Sequence, residues 1–158
     1  QQVRKGEDVL VMFSGVAPYP LVIAKHSLAK SIAGIEMNPI AHQFALENVE
    51  MNKFQKRISL KQGDVRTLVP KLRRKFDRII MPLPRTGEEF LDVALPAVKS
   101  GGMIHLYAFL REEEIEGYKK KVKQMCKKLG RSARILRMAA CGQFSPGVSR
   151  YCVEMKVG

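Results

Sequence analysis

Short apolar runs alternate with segments of helical periodicity along most of this chain. Asp8 to Gly15 begins with Val9-Leu10-Val11-Met12-Phe13, a run that reads as a buried strand. Pro18 to Lys30 reads as a helix, with Pro near the first turn, where no N–H is needed. Ser31 to Met37 is a second strand. Asn38-Pro39 predicts a helix start, with Asn as the cap and Pro at the first position. Ile40, Phe44, Ala45, Val49 and Met51 give that helix an apolar side, ending near Lys53. Ile58 to Gln62 is a third strand, and Gly63-Asp64-Val65-Arg66 turns into a short helix.

Phe76 to Met81 is the nearly continuous apolar run expected of a central parallel strand. Pro82-Leu83-Pro84 must stop it. Thr86 and Glu89 have capping-box spacing, predicting a helix to about Lys99 that Ser100-Gly101-Gly102 terminates. Met103 to Leu110 is a fifth strand. Arg111 to Leu129 is a long basic helix closed by Gly130. Arg134 to Cys141 and Arg150 to Val157 form a final strand pair, joined by Gly142 to Gly147. Five strand–helix steps followed by two strands predict an α/β fold with a mostly parallel sheet covered by helices. No repeat or linker interrupts the pattern, so residues 1–158 read as one domain.

Composition narrows the function. The chain is long enough for a real core, and no apolar run reaches the length of a membrane span. Gln1 to Gly6 lacks the apolar stretch of a signal peptide, so a cytoplasmic protein is expected. Cys126, Cys141 and Cys152 have no CxxC spacing, and His26, His42 and His105 have no ligand spacing, so no metal is expected. His105, inside a strand, reads as a satisfied core histidine. Lys and Arg number 28 against 15 Asp and Glu, a net charge of +13. That excess points to an anionic partner, with nucleic acid first.

The candidate chemistry lies at successive strand ends. Phe13-Ser14-Gly15-Val16-Ala17-Pro18 is a turn of small residues, over whose backbone a ligand could lie. Glu36 ends the second strand, where a ribose diol is usually held. Asp64 ends the third, placed to accept from an adenine amine or to cap the next helix. The turn is not GxGxxG, so a dinucleotide is not the first choice. Met81-Pro82-Leu83-Pro84 reads as an active-site loop at the end of the fourth strand.

These segments resemble the cofactor site of class I S-adenosylmethionine (AdoMet) methyltransferases. Together with Asp77-Arg78-Ile79-Ile80 and Phe144-Ser145-Pro146-Gly147-Val148, they resemble the archaeal/eukaryotic-type tRNA (guanine-37, N1)-methyltransferase family. That family includes the wybutosine-pathway aminocarboxypropyl transferases. The resemblance implies a Rossmann-like seven-stranded sheet of order 3-2-1-4-5-7-6, with the last strand antiparallel and helices on both faces. It implies that Phe13, Gly15, Val16, Pro18, Glu36, Met37, Asp64 and Val65 bind AdoMet. It places Pro82, Leu83 and Pro84 in the loop that receives the target base. The family loop usually reads Asn-Leu-Pro, so Pro82 is a departure that removes a polar side chain. The family also carries its proposed general base just before the first strand. The base and a tRNA-binding domain are therefore expected outside this chain, which reads as the C-terminal catalytic part of a longer protein, weakly active alone. The expected function is methyl transfer to N1 of guanine 37 in tRNA, by a monomer. The alternatives are aminocarboxypropyl transfer to tRNA and a noncatalytic RNA-binding remnant of the fold.

Overall fold

The apolar runs become the interior strands of one seven-stranded sheet. The structure, a computed structural model, describes residues 2–83 and 85–158. The strands are β1 (Asp8–Met12), β2 (Ser31–Glu36), β3 (Ile58–Gln62), β4 (Phe76–Met81), β5 (Val98–Leu110), β6 (Ala133–Ser145) and β7 (Val148–Val157). The helices are α1 (Pro18–His26), α2 (Pro39–Met51), α3 (Val65–Lys71), α4 (Leu91–Ala97) and α5 (Ile115–Lys128). The sheet order is β3-β2-β1-β4-β5-β7-β6. Strands β1 to β5 are parallel, and β7 runs antiparallel to both β5 and β6. Order and direction agree with the expectation from the resemblance.

The reason β1 is a continuous apolar run is that both of its faces are covered. Leu10 and Met12 point into a core closed by α3, α4 and α5. Val9 and Val11 point into the opposite core, closed by α1 and α2. Near the foot of the sheet, Asp77 accepts from the Asp8 N–H at 2.8 Å and from Lys99 Nζ at 2.8 Å. Burial works against the Asp77 anion, but these partners hold its carboxyl below the usual range. Among the described residues no helix is long and apolar enough to cross a membrane.

Several boundaries differ from the sequence reading, each for a local reason. Helix α1 stops at His26, because Ser27 turns extended and its Oγ donates to the Ile23 carbonyl at 2.6 Å. Helix α2 buries only Ala45 and Val49, while Ile40, Phe44 and Met51 are 65%, 52% and 79% exposed. Phe44 and Ala45 are about 100° apart on a helix, and the smaller residue faces the sheet. Thr86 makes no side-chain cap; its φ is 57°, and Gly87–Phe90 forms a 3-10 turn before α4. Helix α4 ends at Ala97, and β5 begins at Val98 rather than Met103. Arg111 does not start the basic helix; a 3-10 turn over Glu112–Glu114 precedes α5. Strands β6 and β7 extend through the expected loop, with bulges, to a Pro146-Gly147 turn in which Gly147 has φ 74°.

Candidate functional site

Parallel strands align their carboxyl ends, and that alone gathers the candidate residues. The sheet order puts the ends of β3, β2, β1 and β4 side by side. They carry Asp64, then Glu36 with Met37, then the Phe13–Pro18 loop, then Pro82 and Leu83. Pro84, expected in the last of these, lies outside the described residues.

The loop after β1 is held open by backbone conformation. Phe13, Gly15 and Ala17 have φ of 58°, 53° and 68°. Left-handed backbone at non-glycine residues costs on the order of 1 kcal/mol or more each, so the surroundings must impose it. The Ser14 N–H donates to the Ile35 carbonyl at 2.9 Å, and the Ala17 N–H to the Ser14 carbonyl at 2.9 Å. Asn48 of α2 donates through Nδ2 to the Val16 carbonyl at 3.0 Å. A methyl group built on Gly15 would meet nothing within 4 Å, so there is open space over this backbone.

Glu36 is the link between strand ends. One carboxylate oxygen accepts from the Gly15 N–H at 2.7 Å, and the other from the Asn38 N–H at 2.9 Å. Two backbone donors fix the carboxylate, while each oxygen keeps a lone pair for a further donor. A vicinal diol supplies two such donors. Asn38 itself caps α2, accepting through Oδ1 from the N–H groups of Ile40 and Ala41 at 2.9 and 3.3 Å. Met37, next to Glu36, and Val16, next to Gly15, are 67% and 43% exposed and leave apolar surface open.

Asp64 caps α3 by accepting from the Arg66 N–H at 2.8 Å. The carboxylate is exposed and can accept more. Val65 differs from its neighbours: its side chain is buried in the core, so it offers a ligand only backbone. Phe13 packs edge-on against Phe90, with ring centroids 4.8 Å apart, and the Arg66 guanidinium covers Phe90 at 4.5 Å. Arg66 also pairs with Asp92. This chain of contacts ties the first loop to α3 and α4. Pro18 is exposed in the first turn of α1; Pro82 and Leu83 are half-buried beyond Met81.

The sequence reading missed Asn48, Phe90 and Arg66. Asn48 had a signal: it falls beside Ala45 and Val49, at i+3 on the face that α2 turns toward the sheet. A polar residue within a buried stripe needs a partner, and here it is the loop carbonyl. Phe90 and Arg66 meet only through tertiary packing, which no local pattern announces.

A second polar cluster is structural. Arg78 donates to both oxygens of Glu7 at 2.8 and 3.0 Å and to the Gln2 carbonyl at 2.9 Å. Its Nη1 lies 2.5 Å from His105 Nε2. Arginine only donates, so Nε2 is the acceptor and the ring proton sits on Nδ1, 3.8 Å from Cys152 Sγ. Burial, with help from the Arg78 charge, brings the His105 pKa down to about 4. His105, Cys152 and Glu154 have ligand atoms within 4.8 Å of one another. The imidazole nevertheless has no free lone pair for a metal, and the ring is the satisfied core histidine expected.

Comparison with known proteins agrees with this geometry. The chain is 29% identical over 158 residues to tRNA (guanine(37)-N(1))-methyltransferase Trm5b of Pyrococcus abyssi, covering 99% of this chain and 46% of that protein. It is 28% identical over 154 residues to tRNA(Phe) (4-demethylwyosine(37)-C(7)) aminocarboxypropyltransferase of Methanocaldococcus jannaschii, covering 97% of this chain and 61% of that one. The crystal structure of M. jannaschii TYW2 in complex with AdoMet superposes with a TM-score of 0.90 at 26% identity, covering 99% of this chain and 70% of that chain. The chain therefore spans about half the length of the curated relatives it matches. The TRM5/TYW2 methyltransferase domain matches residues 1–136, and this chain belongs to that family.

Proposed function

We propose that this chain is the catalytic domain of an AdoMet-dependent tRNA methyltransferase that modifies N1 of guanine 37. The observation that carries the reading is the Glu36 carboxylate, fixed by the Gly15 and Asn38 N–H groups and aimed beside an open loop. The names of the relatives and the AdoMet in the M. jannaschii structure support it. AdoMet would supply an electrophilic methyl group on a sulfonium.

The residues divide the work. Glu36 accepts from the ribose hydroxyls, and Asp64 accepts from the adenine amine. The Phe13–Pro18 backbone lies along the ligand, with Val16 and Met37 as apolar contacts. Pro82 and Leu83 wall the place where the target base enters and line it up with the methyl carbon. As N1 of guanine bonds to the methyl carbon, the methyl–sulfur bond would break with its electron pair left on the departing S-adenosylhomocysteine, and a base takes the N1 proton. Glu88 is committed elsewhere: its two oxygens accept from Tyr118 at 3.2 Å and Lys121 at 2.7 Å.

Two other readings have a specific support. The M. jannaschii aminocarboxypropyltransferase covers nearly the whole chain, so the same cofactor could donate its longer arm. Pro82 has no side-chain donor or acceptor, which favours a noncatalytic RNA-binding role. Mass spectrometry of tRNA from cells lacking the gene tests all three. Loss of 1-methylguanosine is expected. Its persistence with loss of a heavier adduct points to the second reading, and unchanged tRNA to the third.

A further inference from the structure

At the other end of the site, beyond β4, two aromatic rings and a cation converge without any role in holding AdoMet. Phe109 is the penultimate residue of β5, and Phe144 stands near the tip of the β6–β7 hairpin. Their rings are stacked, with centroids 4.0 Å apart and planes at 28°. The Arg85 guanidinium lies over the Phe144 ring, 5.6 Å from its centroid. Arg85 follows the Pro82–Leu83 loop by two residues, so the group stands next to the place proposed for the target base. The three side chains border a cavity of about 560 Å3.

The charge and exposure of this group call for a ligand. Phe144 remains 52% exposed despite its stacking partner, so one part of the ring is left for another molecule. The one carboxylate in the cavity, Glu88, is already paired with Lys121. Among the described residues Arg85 meets no carboxylate, so its charge is left for an anion from outside. A flat π-surface under an exposed cation that pairs with no carboxylate among the described residues matches an unpaired nucleotide, which offers a ring to stack and a phosphate to pair.

We propose that Phe144, backed by Phe109 and flanked by Arg85, is a stacking platform for one unpaired base of the RNA loop. The proposal rests on the RNA-substrate reading above and adds the residues that grip the loop. The base takes the place of the Arg85 guanidinium over Phe144, and the exposed Arg85 side chain swings off the ring to meet the adjoining phosphate. The platform selects for an unstacked, splayed-out nucleotide and is tolerant of base identity, since every base has a π-face.

The test is a titration of this chain with a fluorescent anticodon stem-loop RNA, read by anisotropy at fixed low salt. Phe144→Ala should weaken binding roughly 5- to 150-fold, the usual range for one stacked base. Phe144→Tyr should keep the affinity. Both variants should bind S-adenosylhomocysteine as the unchanged chain does, and melt with it, since Phe144 lies outside the core and the cofactor strands. The stem-loop is then made abasic at each unpaired position in turn. At one position the loss of the base should make Phe144→Ala silent, because the two changes remove the same contact. Equal RNA affinity of the unchanged chain and Phe144→Ala overturns the platform and leaves the enzymatic reading standing. A Phe144→Ala penalty that is the same with every abasic RNA overturns it too. Failure of the unchanged chain to bind the stem-loop at all overturns the RNA-substrate reading and the platform together.

Discussion

Replacing Glu36 by alanine removes a side chain that bridges the carboxyl ends of the first and second strands, and its effect can be worked from four hydrogen bonds. Two are visible: Gly15 N–H to one carboxylate oxygen at 2.7 Å and Asn38 N–H to the other at 2.9 Å. Two more are proposed, from the ribose hydroxyls of the cofactor. Hydrogen bonds to a charged acceptor contribute about 1.5–3 kcal/mol, here taken for the diol as a whole. Their loss should weaken S-adenosylhomocysteine binding roughly 10- to 150-fold. Freeing the Gly15 N–H adds to this, because the loop loses a restraint on left-handed backbone. Glu36→Gln should fall between, since an amide NH2 must then face one of two backbone N–H groups. Calorimetric titration measures the loss. Adenosine and its 2′,3′-dideoxy analogue separate diol from loop: the unchanged chain should prefer adenosine, and Glu36→Ala should not distinguish the two. Unchanged affinity in Glu36→Ala, or a retained preference for adenosine, would refute the assignment of this carboxylate to the ribose.

Three further outcomes follow from other parts of the structure. His105 titrates at about 4 when folded, against 6.5 as its ordinary value, because it is buried beside Arg78. Above pH 6.5 both states are neutral; as pH falls toward 4 only the unfolded chain gains the proton, so stability should drop by about 3 kcal/mol across that window. Urea unfolding at pH 7 and pH 4.5 reads this, and the drop should shrink in His105→Gln; an equal drop in both proteins would show that His105 is not its source. Asn38→Ala removes the α2 cap, at about 1 kcal/mol, and should lower the melting temperature by about 2–4 °C in a domain of this size; an unchanged melting temperature would show that the cap contributes nothing. Finally, with a net charge of +13, the chain should bind tRNA without sequence preference, and that affinity should fall steeply with added salt through counterion release. A salt-independent affinity, or strong discrimination against adenine at position 37 by this chain alone, would contradict this.

The site was legible to the extent that strand ends are. Gly15 and Glu36 each follow an apolar run and Asp64 follows the alternating strand Ile58–Gln62, and a parallel sheet must bring such positions to one edge. What distance in sequence hides is the coupling between them. Nothing local to Glu36 says that its carboxylate accepts from Gly15, 21 residues earlier. Val65 shows the opposite limit. It sits inside a recognisable motif, yet its side chain belongs to the core, because the first turn of a helix must turn one residue inward.

Helix α2 and the β6–β7 hairpin show why the remaining boundaries were harder. In α2 the apolar residues cover more than one face, so a count of apolar positions finds the helix but not the side that docks. Sheet geometry chose Ala45 and Val49, whose small volumes let the helix approach, and left Ile40, Phe44 and Met51 outside. In the hairpin, Gly142 and Pro146-Gly147 both look like turn signals, and only the second is one. Gly142, with φ 119°, falls at a bulge that the partner strand accommodates. The bulge lets β6 continue to Ser145, and this continuation is what carries Phe144 over Phe109 beside the cavity. The residue that reaches furthest toward the proposed RNA is thus placed by an irregularity that local sequence signals read as the end of the strand.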